Sequence, residues 1–460
     1  MEGDRDMAMS SARKGWAAVG LAASVSLVLA ACGGDDDGGD DNAGGGETGG
    51  GGDCAFAEDF TDLDGTSVTV YSTIVAPEDA PLEASFDAFE ECTGMTVVYE
   101  GSDEFEAQLP VRVQGGSPPD LAIIPQPGLL ATLVRDFDAV IPVPDEARAN
   151  VEASFDPAWV DYGTVDGTYY GTPFGANVKS FVWYSPSAFE EAGYEIPETW
   201  DDLIALSDQI VADGGMPWCA GFGSGDATGW PGTDWVEEVM LRTAGIDVYR
   251  QWYNHEIPFN DPQVVEAFDT VAQILKNDQY VNGGLGDVTS IATTRFEDGG
   301  LPILDGNCWM HRQASFYQAN WGDGVEVAED GDVYAFYLPG INPEHGNPVL
   351  GGGEFVAAFA ERPEVQAFQT YLSTDHWHAE RASKGNFVSA NRTVPVDAYD
   401  SPVNQLSAEI IADPEAVFGF DASDLMPAEV GTVAFWTGMV NWITGAETQE
   451  TVDAIEDAWP

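Results

Sequence analysis

Trp230 and Glu354 stand in glycine-rich stretches of the sequence, where a side chain can be presented to a ligand. Trp230 belongs to GWPGTD, a loop-like stretch in which core packing rarely needs a large ring. Glu354 follows three glycines, which would let the backbone approach a ligand closely. An indole plate packs against the C–H faces of a sugar, and a charged side chain binds its hydroxyl groups. These residue types predict a solute-binding site, and the tryptophan-rich loops favour a carbohydrate.

Motifs for covalent or metal chemistry are missing from the sequence. It contains no Gly-x-Ser-x-Gly, His-Glu-x-x-His or phosphate-binding loop, and no Cys-x-x-Cys pair. His376 and His378, in HWH, indicate an exposed loop rather than a metal site. A secreted glycosidase, which needs two carboxylates placed across a sugar bond, is the less favoured alternative. We therefore predict binding without turnover, with no catalytic residue, no metal and no cofactor.

The charge balance restricts the partners. The chain carries 79 acidic residues against 16 lysines and arginines, a formal net charge of −63. Nucleic acids, anionic lipid head groups and polyanionic substrates are disfavoured, because phosphate backbones are bound by basic surfaces. Most of these carboxylates are expected to be a solvated surface without chemistry. The acid excess would also suit a polyamine, which stays open as an alternative ligand.

The N-terminal region has the features of an export signal. The apolar run Val19–Ala31 has the length of a signal-peptide core and is too short to span a bilayer. The sequence LAAC, ending at Cys32, resembles the lipobox of bacterial lipoproteins, whose cysteine sulfur carries a diacylglycerol. An ordinary signal peptide, with Cys32 incidental, is the alternative. We predict a signal peptide over residues 1–31, lipidation of Cys32 and a glycine- and aspartate-rich tether over residues 32–53.

Four further cysteines favour disulfides in an exported chain, and three connectivities are open. We favour Cys54–Cys92 and Cys219–Cys308, because bridges between neighbours along the chain would leave two separate lobes free to move. The roughly 400 residues that follow the tether are too many for a single core and suit two lobes.

The first segments after the tether predict a parallel α/β sheet. Strands are predicted at SVTVYST (67–73), MTVVYEG (95–101) and DLAIIPQPG (120–128), with a helix over APLEASFDAFEECTG (80–94). The loops at the carboxyl ends of such strands form the ligand crevice. This places Asp103 and Gln126 among the candidate ligand-binding residues.

Later segments continue the alternation of helices and strands. A helix capped by Thr199, with Asp202 completing a capping box, runs to Gly214, and a second spans 261–276 with Asp261 as its cap. NPVLGGGEFVAAFAERPEVQAFQTYL predicts a glycine turn, a strand and a helix.

Several stretches together resemble one family. FVWYSPSAFEEAGYEIPETWDDL, RFEDGGLPILDGNCWM and MPAEVGTVAFWTGMVNWITG are similar to segments of the extracytoplasmic solute-binding proteins of ABC importers, in the branch that contains maltose-binding protein. PWCAGFGSGDATGWPGTDWVEEVMLR and CWMHRQASF look like its α-glucoside-binding subgroup. The resemblance covers nearly all of residues 67–459.

The resemblance implies an α/β, two-lobed periplasmic-binding-protein fold (type II-like) with the ligand between the lobes. Lobe 1 would comprise 54–172 and 338–374, and lobe 2 would comprise 173–337 and 375–460. Three hinge crossings would lie near 171–175, 336–338 and 373–385. The chain would be a monomer that captures a neutral saccharide, an α-glucoside above all, by hinge closure and delivers it to a membrane permease.

The resemblance also implies ligand-binding residues. Trp436 matches the tryptophan that maltose-binding protein places on its sugar, and Trp309, with Arg312 close by, lies at or near another ligand position. Asn177 takes the place of a glutamate, and Ile124 takes the place of a tryptophan, so maltose itself is not assured. The remaining candidates for the cleft are Lys179 and Asp234.

Overall fold

The computed structural model describes residues 54–413 and 415–460. The predicted signal peptide, the tether and the lipidation at Cys32 lie outside the described residues. The strands are β1 (Ser67–Ser72), β2 (Thr96–Gly101), β3 (Leu121–Ile124), β4 (Thr164–Val165), β5 (Thr168–Tyr169), β6 (Gly171–Val178), β7 (Phe181–Tyr184), β8 (Trp218–Cys219), β9 (Met310–Arg312), β10 (Tyr334–Tyr337), β11 (Asn347–Ala358) and β12 (Ala416–Phe420).

Helices cover the faces of the sheets. They are α1 (Asp79–Glu83), α2 (Asp87–Thr93), α3 (Phe105–Gln114), α4 (Pro127–Arg135), α5 (Asp145–Ser154), α6 (Pro157–Tyr162), α7 (Pro186–Ala192), α8 (Trp200–Ala212), α9 (Trp230–Thr243), α10 (Ile246–Tyr253), α11 (Pro262–Leu275), α12 (Pro363–Tyr371), α13 (Asp375–Ala382), α14 (Pro402–Ala412), α15 (Ala422–Leu425), α16 (Trp436–Ile443) and α17 (Thr448–Glu456). A π-helix, Glu429–Phe435, leads directly into α16. Within the described ranges, no helix combines the length and apolar character needed to span a bilayer.

The first sheet has the order β12-β11-β3-β1-β2, with β6 also paired to β11. Strand β1 pairs in parallel with both β2 and β3, as the alternation of strands and helices predicted. Every residue of β3 is buried, which agrees with its continuous apolar sequence. The first half of β11 pairs with β12 and its second half pairs antiparallel with β3, so one long strand joins distant parts of the chain.

The second sheet has the order β10-β7-β9-β8. The largest apolar cluster surrounds it, built from residues of α8, α9, α11 and α16, and the fully buried Trp218, Trp235 and Trp252 lie in it. Other apolar clusters surround β1 and β3, and a further cluster contains residues of both sheets, among them Val178, Trp183 and Val349. The predicted lobe boundaries and hinge crossings stay predictions.

Several local predictions are confirmed. Thr199 and Asp202 form a reciprocal capping box at the start of α8, and Asp261 accepts a hydrogen bond from the backbone N–H of Gln263 at the start of α11. Disulfides join Cys54 to Cys92 and Cys219 to Cys308, so the favoured connectivity is confirmed.

Two local predictions are wrong in part. The helix predicted over 80–94 is divided into α1 and α2. The HWH segment is not an exposed loop: it lies on α13, and His378 is buried with its Nδ1 bonded to Ser389 Oγ. Burial lowers the pKa of His378 to about 3, so this histidine is neutral at pH 7.

The predicted glycine turn at 351–353 is also wrong, because these glycines lie inside β11. They pair with residues 176–178 of β6, and the register shifts immediately afterwards, at Glu354. A Cβ on Gly353 would meet the Gly175 carbonyl oxygen and would stand 2.7 Å from the Trp159 ring. The glycines therefore allow close approach of protein backbone and an indole ring. The bulge then turns Glu354 out of the regular ladder.

Candidate functional site

An open cavity lies beside the carboxyl ends of β1, β2 and β3, with about 1060 Å³ of empty space when the solvent at its mouth is included. The loops that follow these strands contribute Thr73, Ser102, Asp103 and Gln126, so the crevice lies where the parallel sheet predicted it. The other lining residues are Ile74, Val75, Ala76, Pro77, Glu78, Glu106, Pro125, Asn177, Lys179, Ser224, Ala227, Trp230, Phe296, Glu297, Phe316, Asn320, Gly353, Glu354, Asp421, Asp424 and Trp436.

One wall of the cavity is aromatic. The ring centroid of Trp230 lies 5.1 Å from that of Phe296 and 6.0 Å from that of Phe316. Gly229, immediately before Trp230, has φ of +119°, and a Cβ there would stand 2.9 Å from the Cα of Trp436. This close approach places both tryptophans at one cavity. The Nε1 atom of Trp436 is buried and has no hydrogen-bond partner among the described residues.

Seven carboxylates line the cavity, and Lys179 is the basic residue among the lining residues. Burial, reinforced by the nearby charge of Glu354, raises the pKa of Glu78 to about 8. Burial also raises the pKa of Glu354 and of Glu106. The pKa of Asp424 lies well above its usual range because of burial and of the neighbouring Asp421. Several lining carboxyl groups therefore bind protons more readily than ordinary surface acids.

Lys179 connects the cavity to a buried ionic network. Its Nζ donates to Asp234 Oδ1 at 3.0 Å and to Asp421 Oδ2. Arg312 Nη1 donates to the other Asp234 oxygen at 2.9 Å. All four side chains are at least nine-tenths buried. The lysine is therefore held in one position, with its Nζ 5.3 Å from the centroid of the Trp230 ring.

The network continues behind the cavity. Arg312 Nη2 donates to Glu238 Oε1 at 3.1 Å, and Arg242 and Ser180 donate to the other oxygen of Glu238. Arg242 then donates to the backbone carbonyl of Leu338, at 2.9 Å. A chain of charges thus runs from a lining lysine to the segment that follows β10.

The structure brings seven of the ten predicted ligand-binding residues to the cavity lining: Asp103, Gln126, Asn177, Lys179, Trp230, Glu354 and Trp436. Arg312 and Asp234 are absent from the lining: Asp234 accepts a hydrogen bond from Lys179, and Arg312 donates to the other oxygen of Asp234. Trp309 lies elsewhere, with its ring 4.8 Å from Tyr194 and 6.0 Å from Phe189 at the edge of the largest apolar cluster. Its position next to Cys308 gave no sign of this packing.

Sequence reasoning missed most of the lining carboxylates and two of the aromatic residues. Asp421 and Asp424 start the short helix α15, and Asp421 caps it through a hydrogen bond from the Asp424 backbone N–H. Among 79 acidic residues no local pattern distinguished these two. Phe296 and Phe316 lie in turns and 3-10 segments, without the glycine–proline context that singled out Trp230.

Asp234, Glu237 and Asp421 are close enough to hold a cation, since their oxygens lie within 4.8 Å of one another. These oxygens already have partners. Lys179 and Arg312 pair with the two aspartates, and Glu237 accepts hydrogen bonds from the backbone N–H groups of Ala422 and Ser423. The cluster is therefore an internal ion-pair network.

Comparison with known proteins gives a consistent result. The family model described as bacterial extracellular solute-binding protein matches residues 75–294. The osmoprotective compounds-binding protein GgtB of Synechocystis is 40% identical over 87% of this chain and 94% of its own length. The alpha-glucosides-binding periplasmic protein AglE of Rhizobium meliloti is 38% identical over 86% of this chain and 88% of its own length.

Solved structures share the fold. The bacterial solute receptor AcbH superposes with a TM-score of 0.71 at 21% identity, covering 85% of this chain and 98% of its own. Maltose-bound MalE3 of T. maritima superposes with a TM-score of 0.63 at 15% identity, covering 85% of this chain and 98% of its own chain. The predicted fold class, an α/β periplasmic-binding-protein fold with two lobes, is thus confirmed.

Proposed function

Because the chain belongs to the family of bacterial extracellular solute-binding proteins, we propose that it is the substrate-binding component of an ABC sugar importer. Its ligand would be a neutral mono- or oligosaccharide, an α-glucoside above all. The observation that carries the proposal is one cavity that combines the aromatic wall of Trp230, Phe296 and Phe316 with Trp436 and a polar, carboxylate-rich lining. Aromatic faces suit sugar C–H faces, and carboxylates accept hydrogen bonds from hydroxyl groups.

The comparisons support an α-glucoside ligand. AglE is named for binding α-glucosides, and its similarity extends over 86% of this chain. GgtB, named for osmoprotective compounds, is 40% identical to this chain, so an osmoprotective glycoside falls within the same proposal. Members of this family bind solutes for transporters and are not enzymes, which argues against the glycosidase alternative.

We propose that binding drives hinge closure, because a ligand held between two lobes makes additional contacts only in the closed form. The closed monomer would then dock on the membrane permease. The protein would act outside the cytoplasmic membrane, held by a lipid on Cys32 and the tether of residues 32–53, without other membrane contact.

Titration calorimetry with the purified chain, starting at residue 54, tests the proposal. Maltose, trehalose and sucrose are the first ligands, with putrescine as the alternative class. We expect at least one saccharide to bind with micromolar affinity or better, which corresponds to about −8 kcal/mol. Small-angle scattering should show compaction on binding, and chromatography should show the sugar unchanged.

Tryptophan variants connect binding to the cavity. Trp230→Ala and Trp436→Ala should each weaken saccharide binding by about tenfold or more, since each removes an aromatic contact. Trp309→Ala is the matched control, because this ring packs away from the cavity. Equal losses in all three variants, or tight binding of putrescine with no response to any saccharide, would refute the assignment of a sugar to this cavity.

A further inference from the structure

A second, smaller cavity of about 500 Å³ adjoins the main one. Both cavities are lined by Ile74, Glu78, Asn177, Phe316 and Glu354, which therefore form the junction between them. Glu354 reaches the junction from the bulge in β11, and Glu78 reaches it from the turn before α1. The two carboxylates belong to the wall shared by both cavities, where a ligand in the main cavity would extend.

With both of its carboxyl groups ionised, the junction has one negative charge more than it can balance internally. Arg381 is the basic residue that lines the smaller cavity, and its guanidinium donates to the backbone carbonyls of Gly385 and Asn386. It forms no ion pair with any described carboxylate, and its Nε has no hydrogen-bond partner. Glu78 and Glu354 likewise form no ion pair. Two carboxylates beside one guanidinium leave a single unbalanced negative charge.

The free polar atoms around the cavity are mostly acceptors. Asn177 Oδ1 and Gln126 Oε1 are buried and unpartnered, and no described side chain donates to the carboxylate of Asp424, which is 8% exposed. Among the buried lining groups, Trp436 Nε1 and Asn320 Nδ2 are the unpartnered donors, fewer than the free acceptor oxygens of Asn177, Gln126 and Asp424. A hydroxyl group brings one donor and two lone pairs, whereas an ammonium group brings three donors and no acceptor. The lining is therefore better matched to a ligand that includes an ammonium group.

From this juxtaposition we infer that the cavity also binds glycosides that carry one protonated amine, with the ammonium group seated between Glu78 and Glu354. The inference rests on the proposed function, since the sugar rings would still lie in the aromatic main cavity. It adds a second ligand class to the neutral saccharides. A free polyamine would satisfy the charge but would leave the aromatic wall of Trp230, Phe296 and Phe316 uncovered.

Proton release accompanies this binding. With a pKa of about 8, Glu78 holds a proton in the empty protein at pH 7, and this proton balances the junction. The charged and titratable groups around Glu78 are Glu354, Arg381, Glu297, Asp79 and Tyr99. An ammonium group would replace the proton, so affinity should rise with pH between about 6 and 7.5, by up to tenfold per unit. A neutral sugar should show no such rise.

The test uses three matched ligands: trehalose, its monoamino derivatives and the N-acetylated form of each derivative. Acetylation keeps the position and removes the charge. We expect one monoamino derivative to bind at least about tenfold more tightly than its N-acetyl form, with release of close to one proton. Calorimetry in buffers of different ionisation enthalpy measures this release.

Two variants test whether the carboxylates of the junction cause the preference for the amine over its N-acetyl form. Glu78→Gln and Glu354→Gln should each reduce the affinity ratio of amine to N-acetyl form to near unity. Glu191→Gln, on the exposed surface of α7, removes the same charge and should preserve the ratio.

The outcomes are distinguishable. If the unaltered protein binds saccharides but binds the amine and its N-acetyl form equally well, the inference is overturned while the proposed function stands. A preference for the amine that is unchanged in both Glu78→Gln and Glu354→Gln would also overturn the inference. Putrescine binding as tightly as the amino sugar would refute the glycoside requirement, and absence of binding by every saccharide would refute the proposed function itself.

Discussion

Replacing Lys179 with methionine should destabilise the protein strongly in the absence of any ligand. The lysine is 6% exposed and pairs with both Asp234 and Asp421. Asp234 keeps its hydrogen bond from Arg312, so most of the lost stability should come from the unpaired carboxylate of Asp421. Oδ2 of Asp421 no longer accepts a hydrogen bond from the lysine. Oδ1 still accepts hydrogen bonds from the Ser423 hydroxyl and from the backbone N–H of Asp424.

Removing one partner of a buried pair leaves an uncompensated charge and costs about 3–5 kcal/mol. For a folded chain of about 400 residues, a loss of about 4 kcal/mol lowers the midpoint of thermal unfolding by about 5 °C. The double variant Lys179→Met/Asp421→Asn removes both charges and should recover most of this loss. Lys384→Met is the control, because this lysine is half-exposed and its pair with Glu380 is worth about 1 kcal/mol or less.

The loss should depend on pH. Burial alone raises the pKa of Asp421, but Lys179 outweighs burial and brings that pKa below its usual range. In the intact protein this carboxylate therefore stabilises the fold above about pH 4, and the contribution disappears as pH falls through the folded-state pKa. In Lys179→Met the folded-state pKa of Asp421 should instead rise above the unfolded value. The variant should then regain stability, relative to the parent, as pH falls from about 7 to 5.

Urea unfolding followed by fluorescence at pH 7 and pH 5 measures these differences, provided that the slopes agree between variants. A loss below about 1 kcal/mol for Lys179→Met at pH 7, equal to that of Lys384→Met, would refute the electrostatic reasoning. A double variant no more stable than the single variant would refute the assignment of the loss to Asp421.

Two further predictions concern the packing of the fold. Gly353→Ala places a Cβ 2.7 Å from the Trp159 ring and should lower the unfolding free energy, measured with urea, by about 1–3 kcal/mol. The control Gly340→Ala, whose Cβ would have its nearest neighbouring atom at 4.0 Å, should lower it by about 0.5 kcal/mol or less. Equal losses in the two variants would contradict the packing argument. Replacing Cys219 and Cys308 together with alanine opens a loop of 89 residues and should lower the unfolding free energy by roughly 4–5 kcal/mol, and a loss below about 1 kcal/mol would contradict the chain-entropy estimate.

Local structure was predictable because the signals that specify it are local. The caps at Thr199 and Asp261 and the buried strand β3 depend on residues within a few positions of each other. The crevice followed from the parallel order of β1 and its neighbours, since the carboxyl ends of parallel strands share one edge. The stretch GWPGTD was predicted to be a loop, but Trp230 is the first residue of α9, and only its place at the cavity agrees with the prediction.

Tertiary structure decided which distant residues meet. Gly351, Gly352 and Gly353 suggested a turn, but pairing with β6 and the Trp159 ring holds them in a strand. Asp234 and Arg312 suggested ligand contacts, but the buried positive charge of Lys179 requires partners, and it takes Asp234 from α9 and Asp421 from the segment after β12. Arg312 of β9 pairs with the same Asp234. A charged side chain needs such partners only when it is buried, and the local sequence does not show which charged side chains are buried.

The sequence by itself predicted the class of fold, many of the helices and strands and the place of Trp230 in the cavity, and it favoured the observed cysteine pairing among three possible ones. Only the tertiary structure distinguished the carboxylates of the cavity from the many on the surface, because an acidic residue has the same local signature in both places. What separates Glu78, Glu354 and Asp424 from the others is burial, which depends on contacts between segments that are far apart along the chain.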